Sequence, residues 1–148
     1  MKLKVAWIGK TKQAGIQALT DEYVKRLSRY AETEVLTLKD EAALLALSHK
    51  AGRPQAKHTV VLLDSRGKQL SSEELAKFLG DYQDRNPLPL LFAVGPADGF
   101  SEEARQSAAW LLSLGKMTLA HELARVLLLE QLYRAFTILK GHPYHTGH

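Results

Sequence analysis

Residues 123–136, LARVLLLEQLYRAF, are the longest apolar segment of the chain, and Arg125, Glu130, Gln131 and Arg134 are its only strongly polar members. The apolar positions run nearly all the way round a helix, so such a helix must be buried on more than one side. In a single small domain one face packs on a sheet. The other is expected to pack on the same helix of a second copy, which makes the chain a homodimer.

The remainder supplies the sheet. Strands are expected over residues 3–8, 34–38, 58–64, 87–94 and 110–114, the third and fourth as continuous aliphatic runs typical of strands buried on both faces. Helices are expected over 14–30, with Ile16, Leu19, Tyr23, Val24 and Leu27 at helical spacing, and over 41–50, stopped by Gly52, Arg53 and Pro54. Ser71 and Glu74 form a capping box opening a helix to about Tyr82, and Ser101 caps a short helix that carries Glu102 and Glu103 in its first turn. Residues 65–70 and the tail 141–148 read as irregular. This alternation describes an α/β domain with a mostly parallel sheet and helices on both faces, one domain over residues 1–148.

Ligands in such folds sit beyond the carboxyl ends of the strands. Three of the expected strands end in glycine-bearing loops, at Gly67, at Gly95 and Gly99, and at Gly115, which points to one shared pocket. The last loop, Leu114, Gly115, Lys116, Met117, Thr118 and Leu119, runs straight into the long helix; it suits a backbone cradle for a ligand and equally an ordinary connection.

Composition removes several chemistries. The chain has 148 residues and no cysteine, so disulfides, cysteine-zinc sites and thiol nucleophiles are excluded. No run of 18 uncharged apolar residues occurs and the opening MKLKVAWIGK has no small-residue cleavage site, so a soluble cytoplasmic protein with no membrane contact is expected. The net charge is +4, and residues 1–30 hold seven basic side chains, Lys2, Lys4, Lys10, Lys12, Lys25, Arg26 and Arg29, against Asp21 and Glu22. That excess suits phosphate, and it also suits a solvated helix face.

Gly67-Lys68 has Leu62 where a P-loop needs its first glycine, and no G-x-G-x-x-G follows the first strand. His121-Glu122 opens like a zincin motif, but Arg125 occupies the second histidine position. His142, His145 and His148 have helical metal spacing in a segment that Pro143 and Gly147 keep from being a helix, so no metal is expected. Tyr144 and His145 pair a stacking ring with a group titrating near neutrality. Arg125 stands one turn from His121, toward the loop before the helix, where it can orient a ligand or cap the dimer contact. Glu130 and Arg134 read as an i,i+4 ion pair.

Five segments carry a resemblance over essentially the whole chain: K-V-A-W-I-G-K at the start, D-E-Y-V-K-R-L from Asp21, V-L-L-D-S-R-G-K from Val61 with S-S-E-E-L-A after it, K-M-T-L-A-H-E-L-A-R-V-L-L-L-E-Q-L-Y-R-A-F from Lys116, and the terminal H-P-Y-H. On these the sequence resembles the RlmH, or YbeA-like, family of SPOUT methyltransferases. The resemblance implies a homodimer whose C-terminal part is a trefoil knot, with S-adenosylmethionine bound in the knot loops. The implied reaction is methylation of N3 of a pseudouridine in 23S rRNA on the assembled ribosome.

Carried over by position, cofactor contacts fall on Leu63, Gly95, Leu114, Gly115, Lys116, Met117, Thr118 and Leu119, mostly through backbone. The chain departs from the family at Pro96, where a second glycine is usual, and at Ala120, where a proline is usual. Pro96 removes an amide from its loop, so Gly95 is the contact expected there. The cofactor loops offer little to orient a base or take its proton, so those roles are expected of Tyr144, His145 and Arg125, with His121 as the alternative. Two rival readings are a non-catalytic RNA-binding module, which would bind RNA without cofactor, and a flavodoxin-like nucleotide-binding protein, which would do the reverse.

Overall fold

The computed structural model describes residues 1–51 and 57–146. Five strands, β1 (Lys2–Ile8), β2 (Glu32–Leu38), β3 (Thr59–Gln69), β4 (Leu90–Val94) and β5 (Trp110–Ser113), form one sheet. Their order is β2-β1-β4-β3-β5, and every pairing is parallel. The connections are α1 (Ala14–Leu27), α2 (Glu41–Leu45) with a 3-10 turn at His49–Ala51, α3 (Ser72–Arg85), α4 (Glu102–Ser107) and the final α5 (His121–Lys140).

Alternation along the strands splits the core between the two faces of the sheet. Val5, Trp7, Val61 and Phe92 meet α1, α3 and α5 through Leu27, Leu79, Leu128, Leu132 and Phe136. Ala6, Val60, Leu62, Leu91 and Ala93 meet Leu44 of α2, Phe100 of the loop before α4, and Ala104 of α4. The α/β architecture with helices on both faces is the one the sequence pattern describes.

Several boundaries differ from the pattern, two of them for a tertiary reason. The helix expected over 41–50 stops at Leu45, because Ser48 bridges to His58 as a strand residue and gives its hydroxyl to the Ser107 carbonyl at 2.7 Å. The helix expected to reach Tyr30 stops at Leu27. Residues 65–69, expected as a loop, belong to β3: Leu63 and Lys68 both stand opposite Leu112, and the residues between them bow out of the ladder. The expected stop at Gly52, Arg53 and Pro54 lies outside the described residues, as do Gly147 and His148.

The long helix is longer than its apolar run, and within one chain it is buried on one side only. Leu128, Leu129, Leu132, Ala135 and Phe136 are essentially inaccessible, while Leu123 keeps 51% and Leu127 42% of their surface exposed on a second face.

Candidate active site

Beyond the carboxyl ends of β4 and β5, beside the bulge of β3, lies a cleft of about 380 Å³, within the range of small-molecule sites. Its walls are residues 63–66 of the β3 bulge and the loops that hold Gly95, Gly99 and Gly115, while Gly67 lies outside the lining. Leu63, Gly95, Leu114, Gly115, Lys116, Met117, Thr118 and Leu119 all line it, and His121 closes one side from the first turn of α5.

Glycine has a separate reason to stand in each loop. Gly115 has φ +138°, a conformation side-chain-bearing residues rarely adopt, and a Cβ there would point into open space. Gly95 packs under Phe100, whose ring would be 3.1 Å from a Cβ. Gly67 lies against the Leu111–Leu112 backbone, where a Cβ would be 2.6 Å from the Leu111 carbonyl carbon. Gly95 and Gly115 line the cleft together with side-chain-bearing residues, among them Asp64, Arg66, Asp98, Arg105 and Lys116.

Charged residues without an expected role fasten the loops together. Asp64 accepts from the Arg66 amide at 2.8 Å and pairs with Arg105 at 3.5 Å. Arg105 also donates to the Phe100 carbonyl at 2.7 Å and pairs with Glu102 at 2.8 Å, a bond that holds Glu102 below the ordinary glutamate pKa. Both loops are therefore tied to α4. The i,i+3 spacing of Glu102 and Arg105 is a readable signal, but nothing local indicates Asp64 as its partner.

The substrate-side residues divide. His121 is half-buried at the cleft. Arg125, expected to reach a phosphate or base, is instead 0% exposed: it donates to Thr11 Oγ1 at 3.0 Å and to the Ile8 and Gly9 carbonyls at 3.3 Å, with its guanidinium 4.9 Å from the Trp7 ring centroid. Its reach is spent on the end of β1. Beside it, Glu122 accepts the Lys12 and Gln13 amides at 3.1 and 3.2 Å. Burial pushes the Glu122 pKa up, but those two bonds and the nearby Arg125 charge more than offset it, and the carboxyl ends below its ordinary value.

Tyr144 and His145 are not at the cleft of their own chain. Tyr144 gives its hydroxyl to Glu130 at 2.7 Å and packs edge-on against Tyr133, and Arg134 sits 4.8 Å above its ring. Burial and the Glu130 carboxylate raise its pKa, so the phenol stays protonated. His145 takes a 3.0 Å contact from Arg134 on Nδ1 and lies 2.7 Å from Glu73 through Nε2. With Arg134 donating to Nδ1, it is Nε2 that donates to Glu73. His142 contacts the Tyr30 hydroxyl. Along α5, Glu130 is about 14 Å from His121 at 1.5 Å per residue. Among the described residues no cluster of metal-ligating side chains forms.

A family model described as a predicted SPOUT methyltransferase matches residues 1–145. The chain belongs to that family. Among relatives of this SPOUT chain, the ribosomal RNA large subunit methyltransferase H of Koribacter versatilis is 60% identical over the full length of both chains. That of Geotalea daltonii is 43% identical, covering 98% of this chain and 99% of its own. A probable methylase family protein from Haemophilus influenzae has a similar fold, with a TM-score of 0.59 and 14% identity over 96% of this chain and 69% of that one.

Proposed function

We propose that this protein is a ribosomal RNA large subunit methyltransferase that uses S-adenosylmethionine, and that its target is N3 of a pseudouridine in 23S rRNA on the assembled ribosome. The reading places it in the cytoplasm, where that substrate is. The observation that carries it is the cleft at the carboxyl ends of β4 and β5 and the bulge of β3, lined by every residue that the family resemblance assigns to the cofactor. The fit rests on Gly115: at φ +138° it holds the loop open where a side chain would be strained. When bound, S-adenosylmethionine supplies a methyl group on a positively charged sulfur, which leaves as a neutral thioether once the methyl has passed to nitrogen.

The chain's own task is alignment and proton removal. Main-chain groups of residues 114–119 and Gly95 hold the cofactor, and the Asp64–Arg105–Glu102 ties keep the walls at a fixed spacing. The target nitrogen gives up a proton as its bond to carbon forms. His121 is the imidazole already at the cleft and can take that proton.

The tail enters from a second copy. Leu123 and Leu127 leave an apolar face on α5 that a homodimer covers. In an antiparallel two-fold pairing centred on Leu127, the Glu130 position of one copy falls level with Ala124 of the other. Tyr144, docked on Glu130, then approaches the other copy's cleft with His145 beside it. The trefoil knot belongs to the same reading, supported by the close approach of Gly67 to the Leu111–Leu112 backbone.

The test is titration calorimetry with S-adenosylmethionine, followed by transfer of labelled methyl to ribosomes lacking the modification and mass spectrometry of the 23S rRNA. The expected result is stoichiometric cofactor binding and one N3-methylpseudouridine. RNA binding without cofactor binding would overturn the enzyme reading in favour of a binding module.

A further inference from the structure

The β1–α1 loop is fastened to the first two turns of α5 at both of its ends. Gly9, at φ +89°, turns the chain out of β1 and donates its amide to the Leu38 carbonyl at 3.0 Å. Arg125 takes the Ile8 and Gly9 carbonyls and the Thr11 hydroxyl. Helix α1 has no side-chain cap of its own at Gln13, and Glu122, from 109 residues further on, accepts the Gln13 amide as well as that of Lys12. Glu122 and Arg125 are buried, one turn apart on the same helix face, and Glu122 directly follows His121. Two buried charges spent on a short surface loop are costly unless its shape matters. What that loop displays is Lys10 and Lys12, both exposed.

We infer that residues 9–13 form a phosphate-gripping loop for the RNA strand entering the cleft, and that Glu122 and Arg125 are positioning residues that hold it in register with His121. This rests on the RNA-methyltransferase reading for the identity of the ligand. Lys10 and Lys12 supply point charges that suit a backbone of any sequence. The base is left to the cleft. Both bonds to Glu122 end on Oε1, so a glutamine there can keep them and an alanine cannot.

The experiment measures equilibrium binding to ribosomes as a function of salt, with methyl-transfer KM and kcat and cofactor affinity for the same proteins. The variants are Lys10→Ala/Lys12→Ala, Glu122→Ala and Glu122→Gln. For the lysine pair the expected outcome is weaker ribosome binding and a raised KM by roughly tenfold. Two lost phosphate contacts also lower the slope of log affinity against log salt by about 1.4–1.8, and cofactor affinity does not change. Glu122→Ala should reproduce the rise in KM with kcat and cofactor affinity near wild type, and Glu122→Gln should restore most of the loss. An unchanged KM and salt slope in the lysine pair would overturn the loop's role. Equal losses of cofactor and ribosome affinity in Glu122→Ala would reduce Glu122 to a fold residue. A wild-type protein that binds ribosomes through these lysines without transferring methyl would keep the loop and sink the enzyme reading; one that neither binds nor methylates would sink both.

Discussion

Single residues set the chemistry through backbone shape as much as through functional groups. Gly115 is the plainest case: a β-branched side chain at φ +138° costs about 1–3 kcal/mol of backbone strain. Gly115→Val should therefore weaken S-adenosylmethionine binding by roughly tenfold to a hundredfold in a protein that still folds; wild-type affinity in calorimetry would place the cofactor elsewhere. The sequence reading marks this glycine for the space around it, whereas the structure shows its torsion angle to be the stronger constraint. Glu122 gives a pH signature. Its folded pKa is depressed, so its ionised form stabilises the native state above the unfolded value of about 4.3, and that contribution is lost as pH falls through the lower folded value. The difference in Tm between wild type and Glu122→Gln should be constant near neutrality and vanish in acid. A difference independent of pH would show that the charge is not what holds the loop.

At the scale of elements, helix α3 opens on a complete capping box: Ser71 accepts from the Glu74 amide at 3.0 Å and Glu74 accepts from the Ser71 amide at 2.8 Å. Ser71→Ala should cost about 1 kcal/mol, a fall in Tm of roughly 2–4 °C for a domain near this size, measurable by thermal unfolding with the glycine loops intact. This box was legible because it is local, and so were the buried strands, whose aliphatic runs need no partner to be recognised. The break after Leu45 and the extension of β3 to Gln69 were not legible. Both are decided by residues far along the chain, Ser107 for Ser48 and Leu112 for Lys68. The site divides in the same way. The loops that line the cleft could be found from their glycines, but the burial of Arg125 depends on Trp7 and the end of β1, more than a hundred residues away. A charge within an apolar helix reads the same whether it faces a ligand or a distant loop.

For the whole molecule the question is what covers Leu123 and Leu127. Leu123→Glu with Leu127→Glu should give a monomer by light scattering at micromolar concentration, folded and still able to bind cofactor; a wild-type protein that is itself monomeric would remove the dimer. Deleting residues 144–148 should abolish methyl transfer to ribosomes while sparing cofactor affinity and association, because the Glu130 and Glu73 anchors of the tail lie away from the cleft of their own chain. Transfer at the normal rate would leave the proton to His121 alone. The bonds from Glu122 and Arg125 also fix an order of events in synthesis. Residues 9–13 leave the ribosome early, but the side chains that shape them arrive more than a hundred residues later. Contacts so distant in sequence cannot form before α5 has been made. A nascent chain therefore carries its lysines on an unformed loop until its last helix docks, and it has no ordered grip on the ribosome that is making it.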